Sequence, residues 1–370
     1  MSLRARLQEL AALPADRPKS MPGAFYTSQE HFEHEAATVL RYGWHCLGRA
    51  DEIPEPGDFF TSNLLNEPLI AVRGDDFEVR VLANVCRHRG MQLADGQGNV
   101  KRFVCPYHAW AYSRDGSLTR ATRMDNADFD AANCRLFTHN TQLWNGFIYV
   151  NLDRNARHFS HPDLDVLLEP YQAEKFRLVH TAEENWHTNW KCLVENFMES
   201  YHLSVVHPQT LSGYTPTGLA KKAASGDGFT SYCANYPQDI PSRGTGASGL
   251  SDEQRQRSTL FSKFPTHVAS QAASLLVSLS IFPVKADLIR VKWTMSVYGD
   301  DLKETEIAER IKLWEEVNRE DREKLEQMQI SLRSEHAQEG PLAGDDYEGT
   351  IRDFQSWLAG IDALTPDQNP

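Results

Sequence analysis

The alternation of apolar and polar positions divides the chain into distinct textures. Residues 28–41 (SQEHFEHEAATVLR) place Phe32, Ala36, Val39 and Leu40 on one helical face, with Ser28 in the position of a starting cap. From about 42 to 152 the period shortens to that of β-strands, in short runs split by turn residues. LIAVRG and FEVRVLAN flank Asp75-Asp76, Asp115-Gly116 has the chemistry of a tight hairpin turn, and GFIYVNL (146–152) is a further strand. Residues 186–207 turn helical, and 211–252 are rich in Gly, Ser, Thr and Pro, the composition of a long functional loop. LLVSLSIF (275–282) and LIRVKWTMSV (288–297) are two strong strands, and a highly charged helix covers about 302–336. No internal repeat or low-complexity tract interrupts this order.

Bulk properties narrow the function. The chain of 370 residues is long enough for one large or two ordinary domains, and a net charge of −13 argues against nucleic-acid binding, which normally shows a basic patch. The first twenty residues alternate charges with apolar positions and show no signal-peptide core, and no stretch approaches the roughly 18 apolar residues of a membrane span. The expected setting is cytoplasmic and free of membrane, where cysteines serve metals or chemistry more often than disulfides. Of the six cysteines, only Cys86 and Cys105 stand in a patterned context.

That context is NVCRHRG followed by CPYH, two Cys-His pairs with sixteen residues between His88 and Cys105. A Cys₂His₂ zinc site is the rival reading, but zinc knuckles usually pair like with like. Here Cys86 comes with His88 and Cys105 with His108. One Cys and one His from each loop suit a two-iron cluster with unlike ends, whose potential rises because imidazoles replace two thiolates.

A second constellation lies in NWKCLVENFMESYHLSVVHP. On a continuous helix Glu195, Glu199 and His202 fall on one face, at i, i+4 and i+7. His202 and His207 are five apart and reach one ion only if the helix bulges or ends near Pro208. The late helix offers a third ligand. Ile307, Ile311, Trp314, Leu325, Met328 and Leu332 form an apolar stripe whose gap falls on Asn318 and Asp321. An acid on a buried stripe is costly unless bound to something, which singles out Asp321, with Glu320 as its competitor. Two His and one carboxylate make the facial triad of non-haem Fe(II) oxygenases.

CRHRG and CPYHAWAY resemble the Rieske motif of ring-hydroxylating oxygenase α subunits, and the resemblance extends through most of the chain. Ala109 stands where many relatives carry Gly. The resemblance implies an α+β chain: residues 1–41 as a helical segment packing on the catalytic domain, an all-β Rieske domain at 42–155, and a helix-grip catalytic domain at 156–370. It implies a [2Fe–2S] cluster on Cys86, His88, Cys105 and His108, and a mononuclear Fe(II) on His202, His207 and Asp321. Glu199, with Asn196 nearby, implies an electron-transfer bridge between subunits. Glu rather than the usual Asp at 199 is similar to the branch acting on carnitine and betaines. The implied partners are a small organic substrate, O₂, a separate NAD(P)H-dependent reductase with or without a ferredoxin, and two further copies in a homotrimer. The reductase is separate because no Gly-rich dinucleotide fingerprint is present. The implied reaction is hydroxylation of an N-methyl or quaternary ammonium compound, the alternative being mono- or dioxygenation of an aromatic acid. Tyr201, Tyr214, Phe229, Tyr232 and Tyr236 are candidates for a cation–π cage.

Overall fold

Strand-forming runs of aromatic and β-branched residues occupy 44–151, and in the computed structural model, which describes residues 2–242 and 244–364, they close a unit of their own at 44–158. Its ten strands are β1 (Trp44–Arg49), β2 (Asp58–Leu64), β3 (Glu67–Arg73), β4 (Val79–Ala83), β5 (Gln97–Asn99), β6 (Phe103–Val104), β7 (Ala111–Tyr112), β8 (Leu118–Arg120), β9 (Thr138–Trp144) and β10 (Phe147–Asn151). One antiparallel sheet runs β1-β10-β9-β4-β3-β2-β5, and β6-β7-β8 form a smaller sheet. β9 and β10 turn at Asn145-Gly146, both at positive φ, the backbone that a two-residue hairpin requires. The core here joins Phe59, Ile70, Val72, Leu82, Phe103, Trp110, Tyr112 and Leu136, and both Cys86 and Cys105 belong to it.

The other unit combines residues 1–43 with the chain from 159 onward. It starts with α1 (Leu3–Ala11), α2 (Ala24–Thr27) and α3 (Gln29–Glu35), the last capped by the Ser28 hydroxyl and continued as a π-helical turn over Ala36–Leu40. After α4 (Pro162–Leu168) comes β11 (Phe176–Trp186), then α5 (Trp190–Met198) and α6 (Leu203–Val206). β12 (Ala220–Gly226), β13 (Phe229–Asn235), α7 (Asp252–Arg255), β14 (Arg257–Lys263), β15 (His267–Gln271), β16 (Leu275–Lys285) and β17 (Leu288–Tyr298) follow, and α8 (Glu304–Ser331) and α9 (Asp345–Leu364) complete the order. The seven strands form one antiparallel sheet, β11-β17-β16-β15-β14-β13-β12. α5 packs against β13–β16 and also meets α8 and α9. Among the described residues, no helix is long and apolar enough to cross a membrane.

The sequence-based expectations need three corrections here. Residues 211–252 are not loop throughout, because they contain the hairpin β12–β13, turned at Asp227-Gly228. Residues 186–207 are not one helix, because α5 stops at Met198 and Glu199 is extended (φ −111°, ψ 154°). On α8 the buried stripe passes through Gln329 rather than Met328, which is exposed. Gln329 is held inside because both ends of its amide are bonded: Oε1 accepts from Asn189 N–H (2.9 Å) and Nε2 donates to the Tyr26 carbonyl (2.9 Å).

A buried ion pair ties α3 to α5. Lys191 Nζ donates to both oxygens of Glu35 at 2.6 and 2.8 Å, and Trp190 Nε1 donates to Glu35 Oε2 at 3.1 Å. Burial opposes ionisation of Glu35, but Lys191 and His31 outweigh it and hold its pKa at about 2, against an ordinary 4.5. Removing one partner of such a pair leaves the other charge uncompensated, so Glu35→Gln is expected to destabilise the fold by roughly 3 kcal/mol or more in urea titration. A depressed carboxylate contributes stability above its unfolded pKa and loses it as pH falls. Between pH 4.5 and about 2, stability of the wild type should therefore fall more steeply than that of Glu35→Gln.

Candidate metal centres

The two Cys-His loops close in the same way. Cys86 N–H donates to the Met91 carbonyl (2.8 Å) and Gly90 N–H to the Cys86 carbonyl (2.9 Å). Cys105 N–H donates to the Trp110 carbonyl (2.8 Å) and Ala109 N–H to the Cys105 carbonyl (3.0 Å). Each loop places a left-handed residue four positions after its cysteine, Gly90 at φ +76° and Ala109 at φ +57°. A Cβ on Gly90 would meet nothing, so backbone conformation rather than space calls for glycine there. The thiols lie in the core while His108 is exposed and His88 half-buried, and the two Nδ1 atoms come within 3.1 Å of each other. Trp110 stacks on His88 with centroids 5.0 Å apart, and the Tyr112 hydroxyl sits 3.4 Å from Cys86 Sγ while accepting Arg87 N–H. Two buried sulfurs and two converging ring nitrogens fit a cluster with a thiolate end and an imidazole end.

In the other unit, His202, His207 and Asp321 each bring a ligand atom within 4.8 Å of the others. His202 follows directly on the break in α5, and His207 terminates α6. Glu199 makes the break: its carboxylate accepts the backbone N–H groups of Tyr201 and His202 and also bonds His202 Nδ1. His207 Nδ1 donates to Glu320 at 2.7 Å, and Thr210 Oγ1 donates to the same oxygen at 2.7 Å. A carboxylate on each Nδ1 fixes the tautomer that leaves Nε2 as a free lone pair. His207 Nε2 and Asp321 Oδ1 are 3.0 Å apart, yet both are buried and neither completes a hydrogen bond. Such atoms are costly unless something binds them, and two imidazoles with one carboxylate fit Fe(II).

Two cavities flank these helices. The larger, about 290 Å³, is lined by Tyr26, Cys192, Glu195, Asn196, Glu199 and Glu348 among others. Glu195 accepts from the Tyr26 hydroxyl (2.8 Å), and burial raises its pKa to about 7. The smaller encloses about 30 Å³. Leu203, next to His202 in the chain, and Trp314, seven residues before Asp321, line it with Tyr232, Thr215, Ser258 and Ser270.

The sequence profile described as the Rieske [2Fe-2S] domain matches residues 43–138, and that of the ring hydroxylating alpha subunit (catalytic domain) matches residues 171–361. The chain belongs to the ring-hydroxylating α-subunit family. Within that family, the carnitine monooxygenase oxygenase subunit of Escherichia coli K12 is 35% identical over 51% of this chain and 52% of the relative, so the chain spans about half the length of that curated match. The glycine betaine monooxygenase oxygenase subunit of Pseudomonas aeruginosa is 26% identical over 93% of this chain and 89% of the relative. A solved quaternary ammonium Rieske monooxygenase, CntA, superposes with a TM-score of 0.84 at 24% identity, covering 96% of this chain and 98% of that one. Naphthalene 1,2-dioxygenase from Rhodococcus sp. gives 0.84 at 21%, covering 98% and 99%. The last two likenesses concern the fold.

Family membership brings the [2Fe–2S] cluster and the mononuclear iron with it. The structure gathers the four residues of the first constellation, and His202, His207 and Asp321 of the second. Asn196 lines the larger cavity, and Glu320 sits on the far nitrogen of His207 rather than among the three converging ligands. Of the proposed cage, Tyr232 lines the smaller cavity, whereas Tyr201 is exposed, Phe229 packs on His161 and Tyr214 faces Arg310. Tyr236 bonds the lining residue Ser258 (2.7 Å). Sequence reasoning missed Thr210 as a partner of Glu320, and Trp314 as a wall of the cavity; the indole's place on the α8 stripe was the available signal.

The two loops generate a prediction. Alanine in the left-handed region carries a penalty on the order of 1 kcal/mol that glycine escapes. Ala109→Gly should therefore raise the stability of the Rieske domain by up to about 1 kcal/mol with an unchanged cluster spectrum. A fall in stability would mean that the Ala109 methyl makes contacts worth more than the strain.

Proposed function

We propose that this chain is the oxygenase component of a Rieske system, hydroxylating an N-methyl group of a small quaternary ammonium compound, with loss of the oxidised carbon as the outcome. The observation that carries this reading is the convergence of His202, His207 and Asp321, together with a small cavity that their chain neighbour Leu203 lines and that has Tyr232 and Trp314, but no charged side chain, in its wall. Aromatic faces hold a quaternary ammonium without the hydrogen bonds it cannot make. Relatives named carnitine, glycine betaine and choline monooxygenases support the same class.

In this proposal Cys86 and Cys105 hold one iron of the cluster, and His88 and His108 hold the other through Nδ1. His202 and His207, through Nε2, and Asp321 hold the mononuclear iron. When bound, the cluster supplies electrons singly and the mononuclear iron activates O₂ next to the substrate. The protein's part is placement. Glu320 keeps the proton of His207 on Nδ1, and Glu199 does the same for His202. The Tyr232 hydroxyl points to the carbonyls of Phe197 and Glu199 (3.5 and 3.4 Å), leaving its ring for the substrate. A separate NAD(P)H-dependent reductase delivers electrons, and the setting is cytoplasmic. Copies associate head to tail as a trimer, in which Glu199 connects His202 to the exposed His108 of a neighbour.

Asp321→Ala should lower iron from about three to about two per chain while the visible cluster spectrum persists, as measured by elemental analysis and absorbance. Full iron and turnover in that variant would remove Asp321 from the ligand set. Glu199→Gln should keep about three irons, yet slow single-turnover oxidation of the pre-reduced cluster by roughly 10- to 100-fold, because an amide cannot accept from two imidazoles as a carboxylate does. Normal cluster oxidation there would place the electron path elsewhere. The substrate class is tested by NAD(P)H-dependent O₂ uptake over quaternary ammonium compounds and aromatic acids, with a surrogate reductase. Turnover of the aromatic acids alone would overturn it.

A further inference from the structure

We infer that the indole N–H of Trp314 binds an oxygen atom of the substrate, and that it thereby selects quaternary ammonium compounds carrying an acceptor oxygen over those that do not. This rests on the reading of the smaller cavity as the substrate site. Trp314 is 5% exposed, lines that cavity, and its Nε1 has no hydrogen-bond partner. Three other buried indoles each find an acceptor inside the protein: Trp44 donates to the Arg157 carbonyl (3.1 Å), Trp186 to Glu184 (3.3 Å) and Trp190 to Glu35 (3.1 Å). A buried donor left unpaired is costly, and a cavity in front of it is where an acceptor can come from outside the protein.

The surroundings sharpen the class of ligand. Trp314, Asn318 and Asp321 stand at i, i+4 and i+7 on α8, one helical face, and each carries a buried polar atom with no partner: Nε1, Nδ2 and Oδ1. Asp321 is accounted for by the metal. The other two are donors, so the row asks for an acceptor and not for a second cation. Of the other lining hydroxyls, that of Ser258 is bonded to Tyr236, that of Thr215 to the Leu211 carbonyl and that of Tyr232 to the two carbonyls named above, which leaves Ser270 as the one further hydroxyl in the described lining. With no charged side chain in the lining, a bare cation would lose its hydration against no counter-charge. A zwitterion carries its own, with the ammonium on the aromatic faces and the carboxylate on Trp314.

The test compares substrates that differ only in the acceptor. Glycine betaine is paired with isobutyltrimethylammonium, and γ-butyrobetaine with (4-methylpentyl)trimethylammonium, each isostere replacing the carboxylate by an isopropyl group. Reductase-supported turnover of the iron-loaded enzyme is measured for wild type, for Trp314→Phe, and for the chain with 3-benzothienylalanine at 314, which exchanges only N–H for S. The expected result is a loss of tenfold or more in kcat/KM for the betaine the wild type prefers, with less than threefold change for its isostere. Equal losses on both members of a pair, or none on either, would overturn the role of Trp314 while leaving the substrate class standing. If the wild type turns over no betaine, the substrate reading fails on its own, and benzoate against isopropylbenzene makes the same comparison for an aromatic substrate. Should Trp314→Phe not fold, the benzothienyl protein alone decides. A wild type that oxidises neither the betaines nor benzoate overturns both proposals.

Discussion

Everything at the mononuclear site depends on one carboxylate ending one helix. If α5 continued, His202 and His207, five residues apart at 100° per residue, would point about 140° away from each other. Glu199 prevents this by turning back on the backbone N–H groups of Tyr201 and His202, which a continuing helix would have bonded internally. The same carboxylate holds His202 Nδ1, so a single side chain breaks the helix, starts the next turn and sets a tautomer. On the other side Glu320 repeats the last of these roles for His207, with Thr210 sharing its oxygen. The two acids come from distant segments, and the site therefore exists only when α8 lies against the broken helix.

The parts legible in the sequence were those carried by local spacing. Two Cys-His pairs announce a cluster because ligand loops are short, and positions 318 and 321 announce buried polar residues in the gap of an apolar stripe because a helix repeats every 3.6 residues. What was not legible came from tertiary contact. β13, β14 and β15 are buried along most of their lengths, so their sequences lack the alternation that marks a half-exposed strand; β13 fell within the stretch read as loop, and β14 and β15 were left unassigned. The hairpin β12–β13 still carried one local sign, Asp227-Gly228. The stop in α5 had none, since Glu at 199 is a good helix former in isolation and acts as a breaker only because its carboxylate finds N–H groups and an imidazole. Gln329 escaped for a similar reason: an amide is expected outside until its two partners, Asn189 and Tyr26, are known.

The unit that carries His202, His207 and Asp321 is assembled from both sides of the Rieske domain in the chain, and a buried ion pair in it joins Glu35 to Lys191 across 156 positions. The Rieske domain by contrast is one continuous stretch, residues 44–158. During synthesis on a ribosome the two therefore mature in the opposite order to their beginnings. At about 5–20 residues per second, Glu35 waits roughly 8 to 30 s for Lys191 to be made, and Tyr26 on α2 waits longer for Gln329. The continuous stretch is complete before Lys191 is joined to the chain. A cell could thus load iron and sulfide into a finished Rieske domain while the pocket for the mononuclear iron is still being translated, and α3 spends that interval as a helix whose buried face has no partner.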